Sequence, residues 1–402
     1  MQTSLKSSCR TCPKATRTPR RPSSSGSFAS ATCPTIWLCC TRVPSRSSAR
    51  FPTPISGRET YTNNWALPIG SVSCLTCGIG SRTTSRTDRK RYFLGQQVTN
   101  RITTMARDRR YKIQIGQRSR RWLIHLPPGH EDRAALPIVI MLHGGGATAR
   151  SAALETGWSD LADRAGFLAV FPDALARDPS RLASFPANPQ LWNDGSNRYF
   201  TSRNEPDDIG LLNALLDELA ERFKADMRRV FVTGFSNGAS MAFRAGMELS
   251  HRITAIAPVA GTCWLDRIEL QKPVPLCYIT GTADPLNPID GGPTKIIFEG
   301  SELIRAQPKP PLRDTLRKWA IANGCSDNET GIQQVDGVRT ETFQGGLDAA
   351  EVVYLTVDGL GHVWPGGKSP LPESVVGQPS DKLQGTQRIW QFFQQFTAPH
   401  DR

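Results

Sequence analysis

The run Gly234-Phe235-Ser236-Asn237-Gly238 sets a serine between small residues, directly after Arg229-Val230-Phe231-Val232-Thr233 and ahead of a helical pattern. A serine on so tight a strand-to-helix turn projects its hydroxyl above a sheet, and the helix N-terminus beneath it favours developing negative charge. The hydroxyl becomes a nucleophile only when a base takes its proton. Six histidines are available. His125 lies within a strand pattern, His130 in a turn at the opposite end of the sheet, His251 after the serine's helix, and His400 in the terminal tail. His143 closes a strand and shapes the glycine run that follows it. That leaves His362, in Gly359-Leu360-Gly361-His362-Val363-Trp364-Pro365-Gly366-Gly367. Where a serine occupies such an elbow, an acid lies between it and the base in chain order. Asp284, in Thr280-Gly281-Thr282-Ala283-Asp284-Pro285, ranks first, with Asp290 and Asp358 as alternatives. An Asp before Pro also serves simply to form a turn. Acyl transfer further requires donors for an oxyanion. The loop His143-Gly144-Gly145-Gly146 offers the N–H groups of Gly145 and Gly146, and the helix start offers that of Asn237.

These residues need a scaffold that ends several strands at one edge. From Met105 onward, strand patterns are predicted at 111–115, 122–126, 137–143, 167–171, 230–235, 254–259, 276–280 and 352–357. Helical patterns fall near 151–165, 208–223, 237–249, 312–322 and 382–396. Two opening strands followed by strand–helix alternation predict an α/β fold: a mostly parallel sheet of about eight strands, helices on both faces, and sites at the strands' carboxyl ends. Long connections over 173–206, 283–311 and 364–379 leave that edge and form the walls of a cleft.

Charge divides the chain in two. Residues 1–104 hold 16 Lys and Arg against 2 Asp and Glu, whereas residues 105–402 hold 33 against 34. The first segment, rich in Ser, Thr, Arg and Pro, is expected to be disordered. Its composition equally suits translated non-coding sequence ahead of a true start near Met105. The near-neutral body, 105–398, is expected to be one domain that does not bind nucleic acid. No stretch of 18 apolar residues exists, so no membrane span is expected. The pairs Cys9/Cys12 and Cys74/Cys77 lie too far apart for a zinc ribbon, so no metal is expected, nor any organic cofactor.

Two motifs compete with this reading. Gly144-x-Gly146-x-x-Ala149, trailed by Asp173, satisfies the loose dinucleotide pattern and points to an NAD-dependent oxidoreductase, but it leaves Ser236 and His362 without a use. Gly361 through Lys368-Ser369 has the wrong glycine spacing for a phosphate loop. Trp192 and Trp364 are candidates to stack on a substrate, with burial as loop anchors the other use of an indole. Asp207 and Asp208 are expected to cap the helix that follows them.

Taken together, LHGGGATA at 142–149, PDDIGLL at 206–212, VTGFSNGASMA at 232–242, ITGTADPLNP at 279–288 and GLGHVWPGG at 359–367 resemble the esterases grouped as polyhydroxybutyrate depolymerases and the related feruloyl and acetylxylan esterases. The resemblance covers nearly all of 105–398. It implies an α/β-hydrolase fold, a triad of Ser236, Asp284 and His362, and a serine esterase forming an acyl-enzyme on small or polymeric hydroxyalkanoate, feruloyl or acetyl esters. It also implies export, although no signal peptide is visible at Met1–Arg20, which leaves a cytoplasmic location as the alternative. Members pair the cysteine matching Cys325 with one before the last strand, and residues 343–346 hold none. A non-catalytic binding module on the same fold is the remaining alternative. The sequence does not specify an oligomeric state.

Overall fold

A computed structural model describes residues 107–398, apart from 186, 200–204, 294–307 and 329–330. The expectations for residues 1–104 and for His400 lie outside the described residues. In chain order the elements are β1 (Asp108–Ile115), β2 (Arg118–His125), β3 (Leu136–Leu142), α1 (Ala149–Glu155), α2 (Trp158–Ala165), β4 (Leu168–Pro172), β5 (Leu175–Ala176), β6 (Gln190–Leu191), α3 (Asp208–Arg222), β7 (Ala225–Phe235), α4 (Asn237–Glu248), β8 (Ala255–Val259), β9 (Leu276–Gly281), α5 (Leu312–Ala322), β10 (Gly331–Val335), β11 (Val338–Phe343), β12 (Val352–Val357), α6 (Glu373–Val376) and α7 (Gly385–Phe393).

The main sheet runs β1-β2-β4-β3-β7-β8-β9-β12-β11-β10. Pairing is parallel from β4 through β12 and antiparallel in the two strands at either end. The central strands are apolar on both sides because both faces are covered. Within β3, Ile138, Ile140 and Leu142 enter one core, packed with Leu215 and Leu219 of α3, Met241 of α4 and Trp319 of α5. Val139 and Met141 enter the other, with Trp158 of α2 and Trp390 and Phe393 of α7. The period-two alternation of a strand thus feeds two separate cores.

Two departures from the expected elements have local causes. The helix expected over 151–165 is two helices, α1 and α2, broken at Gly157, whose φ of 74° is left-handed. The sheet has ten strands because β10 and β11 form a hairpin around Asp336 and Gly337, with φ of 48° and 76°. Those angles fit a tight turn with positive φ at both central positions. Every residue of β10 is exposed, so the strand carries no apolar alternation to announce it.

His125, at the end of β2, is buried with Nδ1 2.8 Å from Asp108 Oδ1 and Nε2 2.9 Å from Asp163 Oδ1. Ionised carboxylates only accept hydrogen bonds, so both ring nitrogens donate and the ring is an imidazolium. Burial opposes that charge, but the two carboxylates outweigh it and hold His125 above its ordinary value. A folded pKa above the unfolded one contributes stability that is fully present below about pH 6.5 and is lost as pH rises through the folded value. Denaturant unfolding of wild type and His125→Gln should therefore differ most near about pH 6 and least near about pH 9. A gap that does not change with pH would sink the imidazolium assignment.

Candidate active site

Strand β7 passes into α4 through Ser236, whose φ of 54° and ψ of −117° lie where non-glycine residues are strained, typically at a cost of about 1–3 kcal/mol. The flanking glycines are required by contact. A Cβ on Gly234 would fall 2.3 Å from the Gly238 carbonyl oxygen, and one on Gly238 would fall 2.2 Å from that of Leu142. The turn is pinned by the Ser236 N–H donating to Val259 O at 2.9 Å.

Strands β9 and β12 end at the same edge as β7, and the loops after them deliver the other two groups. His362 Nε2 lies 2.9 Å from Ser236 Oγ, and its Nδ1 lies 2.8 Å from Asp284 Oδ2. Asp284 Oδ1 accepts the N–H groups of Leu286 and Asn287, both at 2.8 Å. Burial would raise the Asp284 pKa, but the electrostatic pull of the His362 ring, its hydrogen bond and these two N–H groups bring it below the ordinary carboxylate value. An ionised Asp284 fixes the tautomer: Nδ1 carries the proton, Nε2 accepts, and the Ser236 hydroxyl donates. The structure thus brings Ser236, His362 and Asp284 into one chain of contacts. Of the alternative acids, Asp290 is exposed, and Asp358 is paired at the surface with Lys382.

Beside the serine, the glycine loop is held by His143. Its Nε2 accepts the Ala174 N–H at 3.0 Å, so its Nδ1 carries the proton and donates to Gly144 O at 2.8 Å. Burial holds His143 below its ordinary value and keeps it neutral. In a planar trans peptide the N–H points opposite to the C=O, so fixing Gly144 O aims the Gly145 N–H the other way. Gly144 borders the elbow, a Cβ there lying 3.6 Å from that of Ser236. Gly146 does not fit the role expected of it, because its N–H donates to Gln190 O at 2.8 Å. The Asn237 N–H belongs to the first turn of α4, where no intrahelical acceptor exists.

A cavity of about 450 Å³ opens onto Ser236 and His362, with walls that include Gly144–Gly146, Phe185, Phe235, Val363, Trp364, Leu371 and Val376. Trp364 is a wall residue, anchored by Nε1 donating to Thr386 Oγ1 at 2.9 Å. Trp192 is not. It is fully buried, and its Nε1 donates to His143 O at 2.9 Å, the kind of partner a buried indole N–H usually finds. Asp173, the acid of the dinucleotide pattern, accepts the Ala149 N–H at 2.7 Å and so caps α1. Asp207 caps α3 through the Gly210 N–H, but Asp208 does something else: it is buried and paired with Arg120 at 2.6 Å. Cys325 is a buried free thiol. Among the described residues no group of three potential ligands could hold a metal, and no helix is long and apolar enough to cross a membrane.

A mostly parallel sheet covered on both faces, with a serine elbow, a histidine and an aspartate meeting at its carboxyl edge, defines an α/β-hydrolase. Residues 130–295 match the Phospholipase/Carboxylesterase family. The chain is 29% identical over 296 residues to NocK of Nocardia uniformis subsp. tsuyamanensis, named as an esterase, covering 70% of this chain and 80% of that protein. It is 30% identical over 260 residues to poly(3-hydroxyalkanoate) depolymerase C of Paucimonas lemoignei, covering 60% of this chain and 58% of that protein. Over 249 residues it is 23% identical to a protein of Aspergillus terreus named as feruloyl esterase C, covering 60% of this chain and 76% of that protein. An acetyl xylan esterase structure from Aspergillus awamori superposes with a TM-score of 0.44 at 14% identity, covering 63% of this chain and 94% of that one.

The elbow makes a direct prediction. In Gly238→Ala the new methyl meets the backbone oxygens of Leu142 and His143, at 2.2 and 2.4 Å, and neither can rotate away. The variant should lose about 1–3 kcal/mol of stability in urea unfolding, as overpacked cores do. Wild-type stability would contradict the close backbone approach.

Proposed function

We propose that the protein hydrolyses carboxylic esters through an acyl-enzyme on Ser236, with His362 as general base and Asp284 as the carboxylate that orients it. The observation carrying this reading is the unbroken contact chain from Asp284 through both nitrogens of His362 to the Ser236 hydroxyl. In the first step His362 Nε2 takes the Oγ proton as Oγ attacks the ester carbonyl carbon. The carbonyl oxygen becomes an oxyanion received by the N–H groups of Gly145 and Asn237. Each such donor is typically worth about 3 kcal/mol of barrier. His362 then gives its proton to the departing alcohol, and water, deprotonated by the same nitrogen, releases the acid.

The substrate we propose is a hydroxyalkanoate ester, as oligomer or polymer. Likeness to the depolymerase of Paucimonas lemoignei and the apolar cavity walls around Val363, Leu371 and Val376 support it. A feruloyl or acetyl ester of a plant-wall polysaccharide is the second reading, favoured by the aromatic walls Phe185, Phe235 and Trp364 and by the likeness to feruloyl esterase C. Rates on 3-hydroxybutyrate oligomers, methyl ferulate and acetylated xylan separate the two. Highest kcat/KM on the oligomers is expected, and a preference for methyl ferulate or the acetylated polysaccharide would select the second.

With a p-nitrophenyl acyl ester, Ser236→Ala should lower kcat by about 10⁴- to 10⁶-fold with the fold intact. Asp284→Asn, which can present an N–H to Nδ1 and so impose the wrong tautomer, should lower it by about 10⁴-fold. Near-normal turnover by Ser236→Ala would remove the serine from the mechanism.

A further inference from the structure

We infer that residues 190–194 are a positioning strap which sets the separation of the two oxyanion donors, acting on one through the glycine loop and on the other through the Asn237 side chain. The inference rests on the esterase reading above. On the loop side, Gln190 O accepts the Gly146 N–H at 2.8 Å, and Trp192 Nε1 donates to His143 O at 2.9 Å. On the helix side, Trp192 N–H donates to Asn237 Oδ1 at 2.8 Å, while Asn237 Nδ2 donates to Trp192 O at 3.3 Å and to Asp194 Oδ2 at 2.9 Å. The Asn237 side chain therefore spends its hydrogen-bonding groups on the strap, leaving its backbone N–H as the only donor it can offer a substrate. One five-residue segment touches both halves of the hole.

The strap is itself held by charges. The Asn193 N–H donates to Asp208 Oδ2 at 2.7 Å, the Asn193 carbonyl accepts from Arg244 at 2.8 Å, and Asp194 is paired with Arg198 at 2.7 Å. Asp208 in turn is locked to the buried guanidinium of Arg120. Trp192 and Asn237 are thus positioning residues, neither side chain touching the reacting atoms. Moving a donor by a fraction of an ångström weakens its hold on the transition state while leaving ground-state binding in place.

The test uses the full-length protein and p-nitrophenyl butyrate. Trp192→Phe keeps an aromatic ring but removes the indole N–H together with the five-membered ring, a loss of volume that the comparator below shares; Asn237→Ala keeps the backbone donor and removes its clamp. Each is expected to lower kcat by about 10- to 100-fold, less than the roughly 10²- to 10³-fold of losing a donor outright, with KM within about twofold of wild type. Inhibition by an alkyl boronic acid, whose tetrahedral adduct uses the hole, should weaken in parallel. The double variant should fall short of the product of the singles, because both act through one segment. Trp319→Phe is the comparator. It also loses a buried indole hydrogen bond to a carbonyl, to Val274 O at 2.8 Å, but away from the site, and should lower Tm with kcat unchanged. Unchanged kcat in both strap variants, a loss confined to KM, or an equal kcat loss in Trp319→Phe would overturn the inference. If Ser236→Ala kept its activity, the esterase reading itself would fail; if that variant is inactive while the strap variants turn over normally, only the strap role fails.

Discussion

The site depends on closing a lateral gap. Ser236 follows β7 and His362 follows β12, and between those strands lie β8 and β9. Three inter-strand spacings of about 4.8 Å put the two strand ends roughly 14 Å apart, beyond the reach of one imidazole. The loop after β12 therefore has to fold back across the edge. It is held there by backbone bonds rather than by packing alone: Thr282 N–H donates to Val357 O, Ala283 N–H to Leu360 O, and Gly361 N–H to Gln378 O. The β9 and β12 loops are thus stitched to each other before either side chain is placed. Asp284 lies beyond β9, between the two strands that must cooperate, where it can orient the ring from behind.

Burying these groups imposes a second constraint. A carboxylate as enclosed as Asp284 would rather be neutral, and only the imidazole and two backbone donors reverse that preference. Here the turn Asp284-Pro285-Leu286-Asn287 has both uses weighed from the sequence at once. Its Asp accepts the N–H groups two and three residues ahead, which is what a turn-forming Asp does, and offers its other oxygen to His362. Neutral His143 follows the same logic: its two nitrogens are committed to backbone groups, so it shapes the glycine loop and has no proton to exchange.

Much of this was legible in the residue string, for reasons that differ by element. The glycines around Ser236 report a backbone crossing that excludes a Cβ, and such sterics leave a mark in residue type. The buried parallel strands announce themselves as apolar runs. Residue type was silent about which N–H in the glycine run is already taken: Gly145 and Gly146 are chemically identical, and only the position of the Gln190 carbonyl separates them. Trp192 is ambiguous in the residue string because an indole suits a substrate wall and a buried anchor equally, and its place is set by His143 O, distant in sequence. The β10–β11 hairpin is not legible as strands although Asp336-Gly337 is a strong turn signal, because its outer strand buries no side chain and so has no periodicity.

The buried pair of Arg120 and Asp208 fits a positioning role better than a stabilising one. Both side chains are almost fully enclosed, and Arg120 Nε has no partner among the described residues. Burial presses the Asp208 pKa upward despite the guanidinium beside it. A buried ion pair with an unsatisfied donor contributes little net stability compared with apolar residues of the same size. What it does supply is direction. A carboxylate bound by Arg120 at one oxygen presents the other along a fixed line, and that oxygen receives the Asn193 N–H. An apolar pair would fill the space and leave the strap with a backbone donor unmet at its centre. The arrangement gives up some stability in return for a fixed backbone path next to the nucleophile, which is where a hydrolase of this type has most use for rigidity.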